Sequence, residues 1–167
     1  MSKQDVDISL NKNTIFTEVN KHTSYEGAKA DATLYDKVRV KSHDKAMLER
    51  WWSDACGLIA TMCVPYVTDI AYSGEGNEFL LTLSLPSNWN PSQEVILATT
   101  AQDIVCEYLL QQWYLLLNME DQAKVSADKI TTATAKMAVA LYDRVRPTRP
   151  THNFVDKTLN GYIDGSA

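Results

Sequence analysis

Residues 90–117 read NPSQEVILATTAQDIVCEYLLQQWYLLL and contain no lysine or arginine. Asn90 is a good helix N-cap, Pro91 suits the first helical position, and Gln93 completes a possible capping box. From there Val95, Leu97, Ala98, Ala101, Ile104, Val105, Tyr108, Leu109, Trp113, Leu116 and Leu117 spread over more than one helical face. A helix that is apolar nearly all round sits at the centre of a bundle or inside an interface. The other segments must therefore supply its cover.

On the C-terminal side a second helix is expected from about Asn118 to Arg144, with Glu120 and Asp121 in its first turn to suit the helix dipole. Ile130, Met137, Leu141 and Val145 form one stripe, and Ala127, Thr131, Thr134 and Ala138 form a small-residue stripe beside it that allows close helix approach. Pro147 and Pro150 forbid continuation. On the N-terminal side Val67–Tyr72 and Phe79–Leu85 read as a hairpin around a glycine-containing turn. Before it, Met47, Trp51, Ala55, Leu58, Ile59 and Met62 recur at helical spacing over about 43–64, with Ser42 as N-cap and Pro65 as the stop. One ring of the Trp51–Trp52 pair should face the core. Residues 34–40 read as a short strand leading into this helix.

The first 33 residues are polar with scattered apolar side chains and show no sustained period, so they read as an arm. The expected fold is mainly α: a three- to four-helix bundle with a small β-hairpin and extended N- and C-terminal arms. The divisions are an N-terminal arm at 1–33, a helical domain at 34–147 and a tail at 148–167. In that tail Phe154, Leu159, Tyr162 and Ile163 are spaced as docking points.

The 167 residues match one ordinary domain, and 45% hydrophobic with 22% charged residues excludes a disordered or low-complexity chain. The net charge of −5 argues against a whole-protein basic DNA binder. Charge is uneven: residues 42–118 carry two basic groups against nine acids, while both ends are mildly basic. The three cysteines read as reduced thiols, because Cys56 and Cys63 on one helix stand about 10 Å apart along its axis. No apolar run is long enough for a membrane span.

No catalytic constellation emerges. His22, His43 and His152 fall in three separate segments, and no zinc, dinucleotide or phosphate-loop motif is present. Glu94, Asp103 and Glu107 are the best acidic candidates, since clustered carboxylates hold magnesium in all-helical nucleotide pyrophosphohydrolases. Such enzymes need paired acids on two helices, and a solvated acidic stripe is the favoured reading. Arg144, Arg146 and Arg149 can contact phosphates, as in a small nucleic-acid-binding module, or pair with an acidic neighbour. No enzyme, metal or cofactor is expected.

The layout of arm, helix, small β element, long apolar helix, second helix and basic proline-containing exit resembles the head–tail adaptor (connector) family of tailed bacteriophages and prophages. The resemblance covers about 34–150. It rests on Asn90-Pro91, on Gln112-Trp113-Tyr114, and on Leu141-Tyr142-Asp143-Arg144 running into Arg146-Pro147. It implies a structural virion protein of the neck, made in the bacterial host cytoplasm. Such proteins form a ring, typically of twelve copies, beneath the portal protein. The ring extends the DNA channel, lets genomic DNA pass without sequence-specific binding, and docks the next neck or tail protein. The resemblance places contacts to the portal or a neighbouring subunit at Arg144, Arg146, Pro147, Arg149, Pro150, Phe154 and Tyr162. Trp51, Trp113 and Tyr114 are core or interface residues. The first 33 and last 17 residues exceed the minimal family layout, and another virion ring or a tail-completion protein is the alternative.

Overall fold

Val6, Ile8 and Leu10 point inward while Asp5, Asp7 and Ser9 point out, the period-two signature of a half-buried strand. This strand, β1 (Gln4–Asn11), is the first element of the computed structural model, which describes residues 3–30, 36–73 and 76–146. It pairs antiparallel with β3 (Glu78–Leu85), setting Val6 opposite Leu83, Ile8 opposite Leu81 and Leu10 opposite Phe79. β2 (Val67–Ser73) pairs with the other side of β3, giving the order β1-β3-β2. The expected hairpin is present, with Gly76 at φ +78° in its turn, but it is part of a three-stranded sheet. A lone two-stranded hairpin is marginal in water, and β1 supplies the missing support.

Helix α1 (Lys12–Ala30) follows directly. The Asn11 side chain accepts from the Thr14 backbone N–H at 3.1 Å and starts it. Every fourth residue, Ile15, Val19, Thr23 and Gly27, is buried. The expected N-terminal arm at 1–33 is therefore corrected: residues 4–30 are a strand and a helix of the packed domain. The stripe escapes a periodicity search because only two of its four members are apolar. Thr23 is accommodated by donating to the Val19 carbonyl at 3.0 Å.

Residues 36–38 form a helical turn instead of the expected strand, and Val38 and Val40 are buried in the core. A 3-10 turn at Ser42–Asp44 leads into helix α2 (Lys45–Met62). Asp44, not Ser42, closes this start, its carboxylate accepting from the Lys41 N–H at 2.8 Å. Trp52 is buried at 3% exposure and Trp51 is half-buried, as the doublet predicts. Phe16 of α1 meets Trp52 edge-on at 6.3 Å, which ties the N-terminal segment to α2.

Helix α3 (Glu94–Leu116), entered through a 3-10 turn at Pro91–Gln93, is the central element. Leu97, Ala101, Ile104, Val105 and Leu109 are fully buried, and α1, α2, β1 and α4 (Glu120–Tyr142) all pack on it. Val95, Ile96, Leu115 and Leu116 at its two ends stay exposed. Asn118, at φ +56°, reverses the chain into α4: the Asn118 N–H donates to Leu115 O at 3.1 Å and the Met119 N–H to Tyr114 O at 2.9 Å. Left-handed asparagine at this position closes both open carbonyls. On α4 the buried small residues are Ala123, Ser126, Ala133 and Ala140. In the expected stripe Thr131 and Ala138 are exposed and Ala127 and Thr134 only half-buried, because burial of Met137 and Leu141 orients the helix with Ala133 and Ala140 against α3.

The fold is thus mainly helical with a small antiparallel sheet, as expected, with the N-terminus built into it. Ile8 is fully buried, so Ile8→Ala is expected to lower stability by about 2–5 kcal/mol. Urea denaturation followed by circular dichroism checks this; an unchanged midpoint would mean that the N-terminal segment is an appendage.

Candidate functional site

The exit of the chain from α4 is held by a dense polar network. Asp143 leaves the helix in an extended conformation, and its carboxylate accepts from Asn90 Nδ2 and Gln93 Nε2, both at 2.8 Å. The Val145 N–H donates to Asn88 O at 2.8 Å, and a β-bridge joins Trp89 to Arg144. Trp89, 1% exposed, donates its indole N–H to Ala140 O at 2.9 Å. Sequence reading missed Trp89; the only signal was an aromatic residue between two turn-forming asparagines. Asn90 caps as expected, accepting from the Ser92 N–H, but Gln93 completes no capping box because its amide is taken by Asp143.

Arg144 belongs to this lock. Its Nη1 donates to the carbonyls of Leu141 and Asp143 at 2.9 Å each, and its Nη2 to the Tyr66 hydroxyl at 3.1 Å. The guanidinium also lies 5.9 Å from the Tyr66 ring centre. An arginine here satisfies the open carbonyls of a helix C-terminus. Arg144 is half-buried, and three hydrogen bonds from its guanidinium are made within the chain. Arg146 is exposed. Pro147, Arg149, Pro150, Phe154 and Tyr162 lie outside the described residues.

A second feature is a groove. α1 and α4 both lie against α3 but make no extensive contact with each other. Between them is a cavity of about 660 Å³ lined by Glu18, His22, Asp103, Glu107, Asp128 and Lys129, among others. A smaller one of about 270 Å³ shares His22, Glu107 and Lys129 with it and continues to Tyr114. Glu107 accepts from Lys129 Nζ at 2.7 Å through Oε1, while its Oε2 is buried with no hydrogen-bond partner. The structure brings Asp103 and Glu107 together and adds Glu18 and Asp128, which sequence spacing could not connect. Glu94 stands apart at the exposed start of α3. Among the described residues no group of three or more His, Cys, Asp or Glu is placed to hold a metal ion.

The groove is electronegative. Burial, reinforced by Glu107, Glu18 and Asp103, pushes the Cys106 thiol up to about 12. Burial, reinforced by Glu26 and Glu107, pushes the Tyr114 phenol up to about 12 as well. Burial alone lifts Cys56 to about 12 and Cys63 to about 11. All three thiols are free, and none is poised as a nucleophile. Trp113 is 3% exposed and donates to Val38 O at 2.7 Å, so it serves the core, and Tyr114 lies beside it between core and groove.

Exposed apolar side chains among the described residues include two groups. Ile96, Ala135 and Val139 line a shallow groove of about 700 Å³ on the α3–α4 side. Ile70 and Tyr72 of edge strand β2 are about half exposed. No helix among the described residues is long and apolar enough to cross a membrane. Comparison with protein-family models, curated proteins and solved structures finds no match.

Two outcomes follow from the titrating groups. Hydrogen bonds from Asn90 and Gln93 hold the Asp143 carboxyl below its usual range. Its contribution to stability is then complete above the usual carboxylate range and is lost as pH falls through the lowered value. Gln93→Ala should move the Asp143 midpoint upward in a carboxyl NMR titration; an unmoved midpoint would remove Gln93 from the lock. The native thiols should react with a disulfide reagent at pH 8 at least tenfold more slowly than those of the urea-unfolded chain, since a thiol near pKa 12 is only about one part in 10⁴ ionised there.

Proposed function

We propose that this chain is a structural subunit of a virion ring, acting as a head–tail adaptor beneath the portal. The ring extends the DNA channel and docks the next neck or tail protein. The observation that carries this reading is the pair of unlike apolar surfaces, Ile96 with Ala135 and Val139 on the helices and Ile70 with Tyr72 on edge strand β2. A closed ring joins neighbours head to tail, so each subunit needs two different patches instead of one self-complementary patch. Clustered exposed apolar side chains mark such contact surfaces.

Two further features support it. The lock around Asp143 and Arg144 fixes where the C-terminal segment leaves the domain, as suits a tail that must reach a neighbour or the portal. The net negative charge disfavours a grip on DNA phosphates, as suits a conduit. A metal-dependent hydrolase is less well served, because Glu94 is remote from Asp103 and Glu107.

Light scattering over a concentration series, with negative-stain images of the same fractions, tests the reading. Rings of about a dozen subunits are expected, and a monomer at every concentration would contradict spontaneous ring formation. Val139 is 70% exposed, so Val139→Glu should weaken assembly at least tenfold without lowering the thermal midpoint.

A further inference from the structure

Burial across the sheet stops at its last strand. Paired residues of an antiparallel sheet point to the same face. Ile8, Leu81 and Ile70 therefore form one row on the core side, and Leu10, Phe79 and Tyr72 form the next. In the first row the exposures are 0%, 0% and 48%, and in the second 1%, 1% and 53%. The Tyr72 ring leans on Phe79, with 5.3 Å between ring centres, as residues on one face must. The helices cover β1 and β3 and leave β2 overhanging. Its other edge is open as well: among the described residues β2 pairs only with β3. Past an irregularity between Val67 and Asp69, residues 69–73 hold a regular register. An edge strand with uncovered apolar side chains is a template for one more strand.

The chain leaves α4 at the start of that edge. Tyr66, the residue before β2, accepts from Arg144 Nη2 at 3.1 Å and meets the Tyr142 ring at 5.9 Å. A further 21 residues follow Arg146. Among them 154–159 reads FVDKTL and is followed by Asn160-Gly161, a run suited to a strand and closed by a turn pair. Extended, it puts Phe154 on one face and Val155 with Leu159 on the other. Either register then sets an apolar side chain beside Ile70 and Tyr72.

The reach of the chain suits its own subunit. Residues 147–153 separate the run from Arg146 and span up to about 25 Å. β2 has 7 residues and a length of about 23 Å. So short a tether holds the run at an effective concentration in the millimolar range, about a thousandfold above separate chains in a micromolar solution.

The geometry points to the open edge of β2 as the docking site of this chain's own residues 154–159, which add a fourth strand to the sheet. This goes beyond the ring reading and applies to a free and an assembled subunit alike.

A photo-crosslinker attached at K157C in the full-length chain tests it. Labelling is selective there, because burial raises the native thiols to about 11 or 12 and slows their reaction. Irradiation should join residue 157 to the 66–73 segment at single-chain mass on a denaturing gel, with the site read by peptide mass spectrometry. V155P combined with T158P, one position from each face of the run, removes a ladder donor in either register and should cut that product about tenfold. The same double variant should speed exchange of the 69–73 amides that point away from β3 about tenfold, with the amides of α3 unchanged. A main product of twice the chain mass would give the edge to a neighbour's tail and overturn the proposal. Cross-links elsewhere, no cross-link, or exchange unaltered by the prolines would overturn it too. Particle mass decides the ring reading separately, so either can fail while the other stands.

Discussion

An α-helix without a single lysine or arginine, buried along most of its length, must be covered from nearly every direction at once. α3 imposes that requirement, and the other elements are arranged to meet it. The inner faces of β1 and β3 present Ile8, Leu10, Leu81 and Leu83 to the core. α1 adds Ile15 and Val19, α2 adds Trp52, Ala55 and Ile59, and α4 closes a further side with small residues that allow close approach. Fully burying one such large aliphatic side chain is worth about 1.5–3 kcal/mol. Loss of any covering element would therefore expose a large part of the core.

The central helix, the hairpin and α4 were legible from the sequence because strong caps, prolines and dense apolar runs mark them. The N-terminus was less so, for two physical reasons. β1 carries only three inward side chains, separated by charged or polar residues in a segment of polar composition. α1 meets α3 through a narrow stripe in which a threonine and a glycine take apolar positions, so its amphipathic signal is weak. Its stability comes from tertiary contact, as is usual for helices in proteins. The rotation of α4 was likewise invisible, since two parallel stripes of small residues lie one position apart and only the packing of Met137 and Leu141 selects between them.

The candidate sites divide along similar lines. Asp103 and Glu107 share a helical face and are readable as a pair, but their convergence with Glu18 and Asp128 depends on two other helices. Arg144 looked like a free basic contact in a run of arginines. Its capture by Tyr66 and two carbonyls depends on the geometry of a helix end, which no local pattern encodes. The lock it forms leaves the chain emerging at a fixed point beside the apolar α3–α4 surface. The two apolar patches and the pinned exit are the features from which the proposed ring assembly is argued.

The claim that α3 is the axis on which every other element depends is tested most directly by native-state hydrogen exchange. The amides of 97–113 should exchange only through global unfolding, with a protection free energy equal to that from urea denaturation and an equal urea dependence. Amides of β1 should reach the same limit, because removing the sheet uncovers the helix. Exchange of the 97–113 amides through a smaller opening, with β1 and α1 detaching while α3 and α4 stay paired, would contradict the account and return the N-terminal segment to the status of an arm.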